Sequence, residues 1–437
     1  MSAVRVLPCT GLQGSTTLPG DKSISHRALL LGALANGPST INNFLPGGDC
    51  LATAGALRAL GISIETPSER TVIVHGRGLN GLQPSHSPIN CVRSGTTMRL
   101  LAGLLAGQSF SSILTGEEQL LRRPMERVAI PLRQMGAEIQ TTNGHAPLHI
   151  QGRRLHGTQL TLEVPSAQVK SAILLAALYA DSPTTIQETA PTRDHTERML
   201  QAMGAVLEVH TSNKYRKMTL FPHRHPLTPL EIEVPGDFSS AAFPLVAALI
   251  IPGSHIHLKN IGINPTRTGL LDALIQMGAS VRIHNERLVA NEPAADLEVQ
   301  SSQLKAIEIA GDLVVRMIDE FPIFAIAATQ AQGKTVVRDA AELRVKETDR
   351  IATVVTELRK LGAVIVERLD GFEITGPVKL QSAAVSSHGD HRLAMALFVA
   401  GLIARDPIFI DDVACAADSF PGFLETMQSL GAEYASN

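Results

Sequence analysis

The chain has 437 residues, of which 44% are hydrophobic and 18% charged, with a formal net charge of −3. That length exceeds one ordinary core, so two or more domains are expected, and the composition excludes a disordered chain. The acidic balance and only 3% aromatics exclude a general nucleic-acid binder, which needs a basic surplus or stacking platforms.

The first 20 residues lack the apolar stretch of a secretory signal. The longest apolar runs, such as residues 241–251, fall short of the roughly 20 residues a membrane helix needs. Cys9, Cys50, Cys91 and Cys415 are widely spaced and form no C-x-x-C pair, so free thiols in a reducing, cytoplasmic setting are expected.

From the N-terminus onward two patterns alternate. One is an apolar, small-residue helix opened by polar residues. Its six copies begin at "DKSISHR" (21–27), "RSGTTMR" (93–99), "PSAQVKS" (165–171), "PGDFSSA" (235–241), "MIDEFP" (317–322) and "HGDHR" (388–392). These helices are apolar nearly all round, so each is predicted to be buried. The other pattern is a helix ending in Leu or Met, then Gly, a small residue and a β-rich run. It places Gly61, Gly136, Gly204, Gly278, Gly362 and Gly431 about 70–80 residues apart. Gly after the last helical turn accepts the left-handed conformation that closes a helix, and the β-branched residues after it start a strand. Six supersecondary units, three per domain, are the simplest reading, with the Pro- and His-rich stretch 222–236 as a crossover.

Ser, Thr, Asp and Gly before the buried helices are expected caps, each contributing roughly 1 kcal/mol. Capping does not explain Lys22, Arg27, Arg99, Lys170 and Arg392 within the first turns, because a cation there opposes the helix dipole. An anion between cation and helix end resolves the conflict. Further basic clusters lie at Arg122, Arg123 and Arg127, at Arg193 and Arg198, and at Arg344, Lys346 and Arg350. In an acidic chain they suggest a focused positive cleft, although Arg122, Arg127, Arg198 and Arg344 equally suit a solvated face. Asp319, Glu320 and Glu347 are candidates for proton transfer; taken alone, Asp319 reads as a helix N-cap. No metal site is expected, because His388 and His391 come without an H-E-x-x-H motif or a carboxylate cage. "GDKS" lacks the spacing of a nucleotide loop.

Nine segments taken in order, "LPGDKSISHRALLLGALA", "SGTTMRLLAG", "RRPMERV", "PSAQVKSAILLAAL", "PGDFSSAAFPLVAAL", "MIDEFPI", "RVKETDRI", "GDHRLAMA" and "SFPGFLETMQSLGA", resemble the 5-enolpyruvylshikimate-3-phosphate synthase family. The resemblance runs from about residue 10 to residue 433. "AQVKSAILLA" and "MIDEFPI" are similar to the branch that includes glyphosate-tolerant bacterial enzymes. The resemblance implies an α/β, two-domain enolpyruvyl transferase fold of six βαβαββ units, with the active site in the interdomain cleft. It implies one domain of residues 1–20 plus 229–437 and an inserted domain of residues 21–228, the N-terminal strand joining the second half of the chain.

It also implies transfer of the enolpyruvyl group of phosphoenolpyruvate to the 5-hydroxyl of shikimate 3-phosphate, by a monomer without cofactor or metal, acting on small molecules rather than nucleic acid or membrane. Carried over by position, Lys22 touches both substrates. Ser23, Arg27, Ser166, Ala167, Gln168, Arg193, Asp319 and Lys346 bind shikimate 3-phosphate. Gly95, Arg123, Gln168, Arg350 and Arg392 bind phosphoenolpyruvate. Lys22, Asp319 and Glu347 carry the proton chemistry. Two positions depart from the family pattern: Arg93 stands where many relatives have Asn, and Asp418 where many have Lys. The related transferase acting on UDP-N-acetylglucosamine is disfavoured, because "LTGEEQLLRRPM" lacks its reactive Cys and Lys22 is followed by Ser23 rather than Asn. A non-catalytic anion-binding repeat protein is disfavoured by the presence of both Asp319 and Glu347.

Overall fold

A computed structural model describes residues 3–212, 215–222 and 225–436. His223 and Arg224, part of the expected crossover, lie outside the described residues. The chain divides into two compact units, residues 1–19, 235–288 and 293–437 forming one, residues 20–234 and 289–292 the other. Each closes its own hydrophobic core.

The described residues contain six four-stranded sheets, three in each unit. In every sheet an edge strand runs parallel to its neighbour and the next strand returns antiparallel. Parallel neighbours need a crossover segment, and a buried helix supplies it in four sheets; in the other two the parallel partners, Gln13–Thr17 with His255–Gly262 and Asn36–Asn42 with Glu231–Glu233, come from distant parts of the chain. The strand Val4–Val6 pairs antiparallel with both Ile408–Ile410 and Tyr434–Ser436, so the N-terminus is held by the C-terminal part of the chain.

The six apolar helices are Lys22–Leu34, Gly95–Ala106, Ala167–Ala177, Phe238–Ile250, Phe321–Gln330 and His391–Leu402. Their burial on all faces follows from their composition. Small residues set how closely they approach: a Cβ at Gly103 would stand 2.0 Å from the Ala172 carbonyl oxygen of the neighbouring Ala167–Ala177 helix. The six repeat glycines, from Gly61 to Gly431, all have positive φ, between 82° and 104°. This is the left-handed helix closure that their spacing predicts.

Five of the six helices carry a side-chain cap. Asp21 accepts from Ile24 N at 2.9 Å, Ser94 from Thr97 N at 3.1 Å, Ser166 from Val169 N at 3.4 Å, Asp237 from Ser239 N at 2.7 Å and Asp390 from Arg392 N at 2.9 Å. The sixth differs from expectation. Glu320 occupies the cap position of Phe321–Gln330 without a side-chain cap bond, and Asp319 stands one residue earlier. Pro322 in the first turn lacks an N–H, which lowers the demand for a cap there. Asp319 is thereby left for other partners.

Candidate active site

In the unit of residues 20–234, three helix N-termini carry the predicted residues. Lys22 and Ser23 lie in the first turn of Lys22–Leu34, both half-buried. Lys22 Nζ is 3.1 Å from Asp49 Oδ2. Arg193 Nη1 donates to Ser23 Oγ at 3.4 Å, which brings two predicted shikimate 3-phosphate ligands together. Arg27 is buried deeper. Its Nε donates to Thr196 Oγ1 and its Nη2 to Ser171 Oγ, both at 2.7 Å, and its Nη1 to Ser23 O at 3.0 Å. Burial pulls the Arg27 guanidinium down to about 10, against the opposing pull of Glu197.

At the second N-terminus, Gly95 is the first residue of its helix. A Cβ there would lie 2.9 Å from Arg123 Nη1 and 3.2 Å from Arg99 Nη1, so the absent side chain leaves room for two guanidiniums. Arg99 Nη1 also donates to Gln168 Oε1, and Gln168 Nε2 donates to Thr96 Oγ1 at 2.9 Å. Gln168, with Ser166 and Ala167 at the third N-terminus, is thereby tied to the Gly95 turn. Behind these turns a buried chain of hydroxyls runs from His26 Nδ1 to Thr53 Oγ1 to Thr97 Oγ1, at 2.7 Å each, and on to Ser94 Oγ at 2.8 Å. Burial pushes the His26 imidazole down to about 3. Arg93 is exposed and pairs with Glu117 at 3.5 Å.

One cation does not stand where the sequence suggests. Lys170 is expected among the cations that meet an anion at a helix end, but its side chain is wholly buried, 2.9 Å from Glu188 Oε2 and 2.8 Å from Glu197 Oε1. It sits far enough into the helix to face the interior, where two carboxylates meet it.

In the other unit Asp319 is surrounded by arginines. Its carboxylate lies 3.6 Å from Arg350 Nη1, 3.7 Å from Arg392 Nη2 and 3.9 Å from Arg267 Nη1. Asp390 holds Arg350 from behind at 2.8 Å (Nε) while also capping the His391–Leu402 helix. Glu347 meets Arg350 Nη2 at 2.7 Å. Burial works against charge on Arg350, yet Asp390, Glu347 and Asp319 outweigh it and raise the guanidinium above its ordinary value. Burial likewise pushes the Asp390 carboxyl up, but Arg350 overcomes it and the carboxyl falls below the usual range. Desolvation lowers the Lys346 amine, opposed by Asp319 first and then by Glu342 and Glu347. Buried Arg350 Nη1 makes no hydrogen bond among the described residues. Asp418 ends the short helix Ala414–Asp418. With Asp412 and Asp390 it adds to the effect of burial in raising the Cys415 thiol to about 12.

The structure thus brings Asp319, Glu347, Arg350 and Arg392 into one cluster, with Lys346 acting on it electrostatically. It gathers Lys22, Ser23, Arg27, Gly95, Arg123, Ser166, Ala167, Gln168 and Arg193 around the helix ends of the other unit. Sequence reasoning passed over Arg267 and the ionic role of Asp390. A signal for Arg267 existed. Arg123, Arg193, Arg267 and Arg350 each stand eleven to thirteen residues ahead of a repeat glycine, and the first and sixth repeats put Asp49 and Asp418 there instead. Arg267 Nη2 donates to Asp237 Oδ1 at 2.8 Å and to Ser239 Oγ at 2.9 Å.

Known proteins are similar to this chain along nearly its whole length. Residues 7–427 match the family described as EPSP synthase (3-phosphoshikimate 1-carboxyvinyltransferase). A protein of that name from Desulforudis audaxviator is 50% identical over 432 residues, covering 98% of this chain and 100% of its own. One from Citrifermentans bemidjiense is 50% identical over 433 residues, covering 98% and 99%. A solved structure of EPSP synthase from Acinetobacter baumannii is 43% identical, covers 100% of both chains and superposes with a TM-score of 0.87. Matched over nearly its whole length in sequence and over all of it in fold, this chain belongs to the EPSP synthase family.

Proposed function

We propose that the chain transfers the enolpyruvyl group of phosphoenolpyruvate to the 5-hydroxyl of shikimate 3-phosphate, releasing phosphate. The observation that carries this reading is Asp319, a carboxylate within 4 Å of three arginines. A base held among anion-binding groups suits the activation of a hydroxyl beside a bound polyanion.

Shikimate 3-phosphate is assigned to the helix ends bearing Lys22, Ser23, Ser166, Ala167, Gln168 and Arg193, with Arg27, Asp319 and Lys346 completing its set. Phosphoenolpyruvate is assigned to Arg123, Arg350 and Arg392, with Lys22, Gln168 and the open Gly95 turn. Both substrates are multiply negative, so the cations offset a repulsion that would otherwise keep them apart. The 5-hydroxyl oxygen attacks C2 of phosphoenolpyruvate while Asp319 accepts the hydroxyl proton. Glu347 delivers a proton to C3, giving a tetrahedral ketal phosphate. The C2–O bond to phosphate then breaks as Glu347 takes a proton back from C3, leaving the enolpyruvyl ether. Lys22 donates to both substrates and stabilises charge on the oxygens that change.

The direct test mixes the protein with the two substrates and follows phosphate release. Release dependent on both is expected. No release with shikimate 3-phosphate, but release with UDP-N-acetylglucosamine in its place, would reassign the acceptor.

A further inference from the structure

Away from the substrate residues, one sheet carries an unusual concentration of imidazoles. His255 and His257 alternate with buried Ile256 and Leu258 along the strand His255–Gly262, so both project from the same face. Glu298, on the adjacent antiparallel strand Glu292–Gln300, is directly opposite His257. His255 Nε2 lies 3.0 Å from Glu298 Oε1, and His284 Nε2, on the strand Ser280–Val289, lies 3.0 Å from Oε2 of the same carboxylate. The rings of His255 and His257 are 4.9 Å apart, centre to centre. One ligand atom from each of His255, His257 and Glu298 falls within 4.8 Å of the others.

We propose that His255, His257 and Glu298 form a binding site for a borderline divalent transition metal such as zinc. Imidazole nitrogens and a carboxylate are the donors such ions take, at metal–ligand distances of about 2.0–2.1 Å. Two ligand atoms of a tetrahedral ion therefore stand about 3.3 Å apart, close to the separation of Glu298 from His255. The remaining separation, within 4.8 Å, closes to that distance by a side-chain movement of His257 of about 1.5 Å. His255 and His284 flank the two oxygens of the Glu298 carboxylate. Gln300 Nε2, 3.4 Å from Glu298 Oε1, supports it from the same strand. Arg282 also attracts Glu298 and weakens the site.

Two ligands come from the strand His255–Gly262 and one from Glu292–Gln300, which is why motifs for helices and loops do not reveal the site. A bound ion would clamp the strands His255–Gly262 and Glu292–Gln300 together. The site is independent of the proposed reaction, since none of its residues is assigned to either substrate.

The test is calorimetric titration of chelator-treated protein with Zn2+, alongside thermal melts. One saturable equivalent and a higher melting temperature with zinc are expected, since an ion that binds only the folded state stabilises it. The double variant His255→Ala/His257→Ala and the single variant Glu298→Gln should lose both effects while melting normally without zinc. Cys9→Ser should keep them. Absence of a saturable equivalent in the unaltered protein overturns the proposal. So does its persistence in the double variant, or its loss in Cys9→Ser alone.

Discussion

Asp319 shares its carboxylate among Arg350, Arg392 and Arg267 at 3.6–3.9 Å, longer than close ion pairing. Arg350 is held more closely by Glu347 and Asp390, at 2.7 and 2.8 Å, and Arg267 by Asp237 at 2.8 Å. Asp319→Ala removes the base and leaves the arginines more positive. Turnover should fall by roughly 100-fold or more, as for a lost general base, while the apparent affinity for phosphoenolpyruvate holds or improves. Steady-state kinetics checks both at once: unimpaired kcat removes Asp319 from the reaction, and a raised KM assigns it to binding. His26 gives a second prediction at this scale. Its imidazole has an ordinary value of 6.5, lowered to about 3 by burial, so the folded state stays neutral where the unfolded chain takes up a proton. The contribution is complete above pH 6.5 and is lost as the pH falls from there toward 3, by up to about 1.4 kcal/mol per pH unit. Urea unfolding of His26→Gln and the unaltered chain between pH 7.5 and 5, above the ordinary carboxylate range, should show a shallower pH dependence in the variant. Parallel curves would contradict this.

At the scale of elements, Lys170 links a helix to the loop that follows the next strand. Its ammonium contacts Glu188 at 2.9 Å, Glu197 at 2.8 Å and the Thr192 carbonyl at 3.2 Å. Glu188 Oε1 in turn accepts from Thr192 N at 2.8 Å. The loop ending in Arg193 is thereby fastened to the Ala167–Ala177 helix. Lys170→Met should cost about 3–5 kcal/mol in denaturant unfolding, because two buried carboxylates lose their shared cation. It should also weaken shikimate 3-phosphate binding through the loosened Arg193. A loss under 1 kcal/mol would mean that Arg216, 3.5 Å from Glu188 and 3.4 Å from Glu197, carries the charge balance alone. The same residue marks where sequence reading stopped. The buried helices, their caps and the six closing glycines were legible because local periodicity and backbone conformation determine them. The fate of Lys170 depended on Glu188 and Glu197, eighteen and twenty-seven residues further on. Asp319 reads as a cap because Asp is a common N-cap residue, yet the helix starts one residue later, with Glu320 at the cap position. Arg267 was visible only by aligning the repeats with one another.

At the scale of the whole molecule, each unit keeps a core made from its own residues, yet the residues assigned to proton transfer are divided. Lys22 lies in one unit; Asp319 and Glu347 lie in the other. A fragment of residues 20–234 retains three helices of the apolar set, with the sheets that flank them and the strand Glu231–Glu233 that pairs with Asn36–Asn42. It should fold alone and unfold in one cooperative transition. It should be less stable than the same region in the full chain, for a specific reason: buried His195 Nδ1 sits 2.8 Å from Glu292 Oε1, and Arg198 donates to the Asn291 carbonyl at 2.7 Å. Both partners lie outside the fragment. Phosphate release should be absent, since Asp319, Glu347, Arg350 and Arg392 are missing, while weak binding of shikimate 3-phosphate through Lys22, Ser23, Ser166 and Gln168 should persist. Circular dichroism through a urea titration and calorimetry with the ligand measure both. A gradual melt with exposed apolar surface would show that the core of residues 20–234 is not self-sufficient, and turnover by the fragment would show that Asp319 and Glu347 are dispensable.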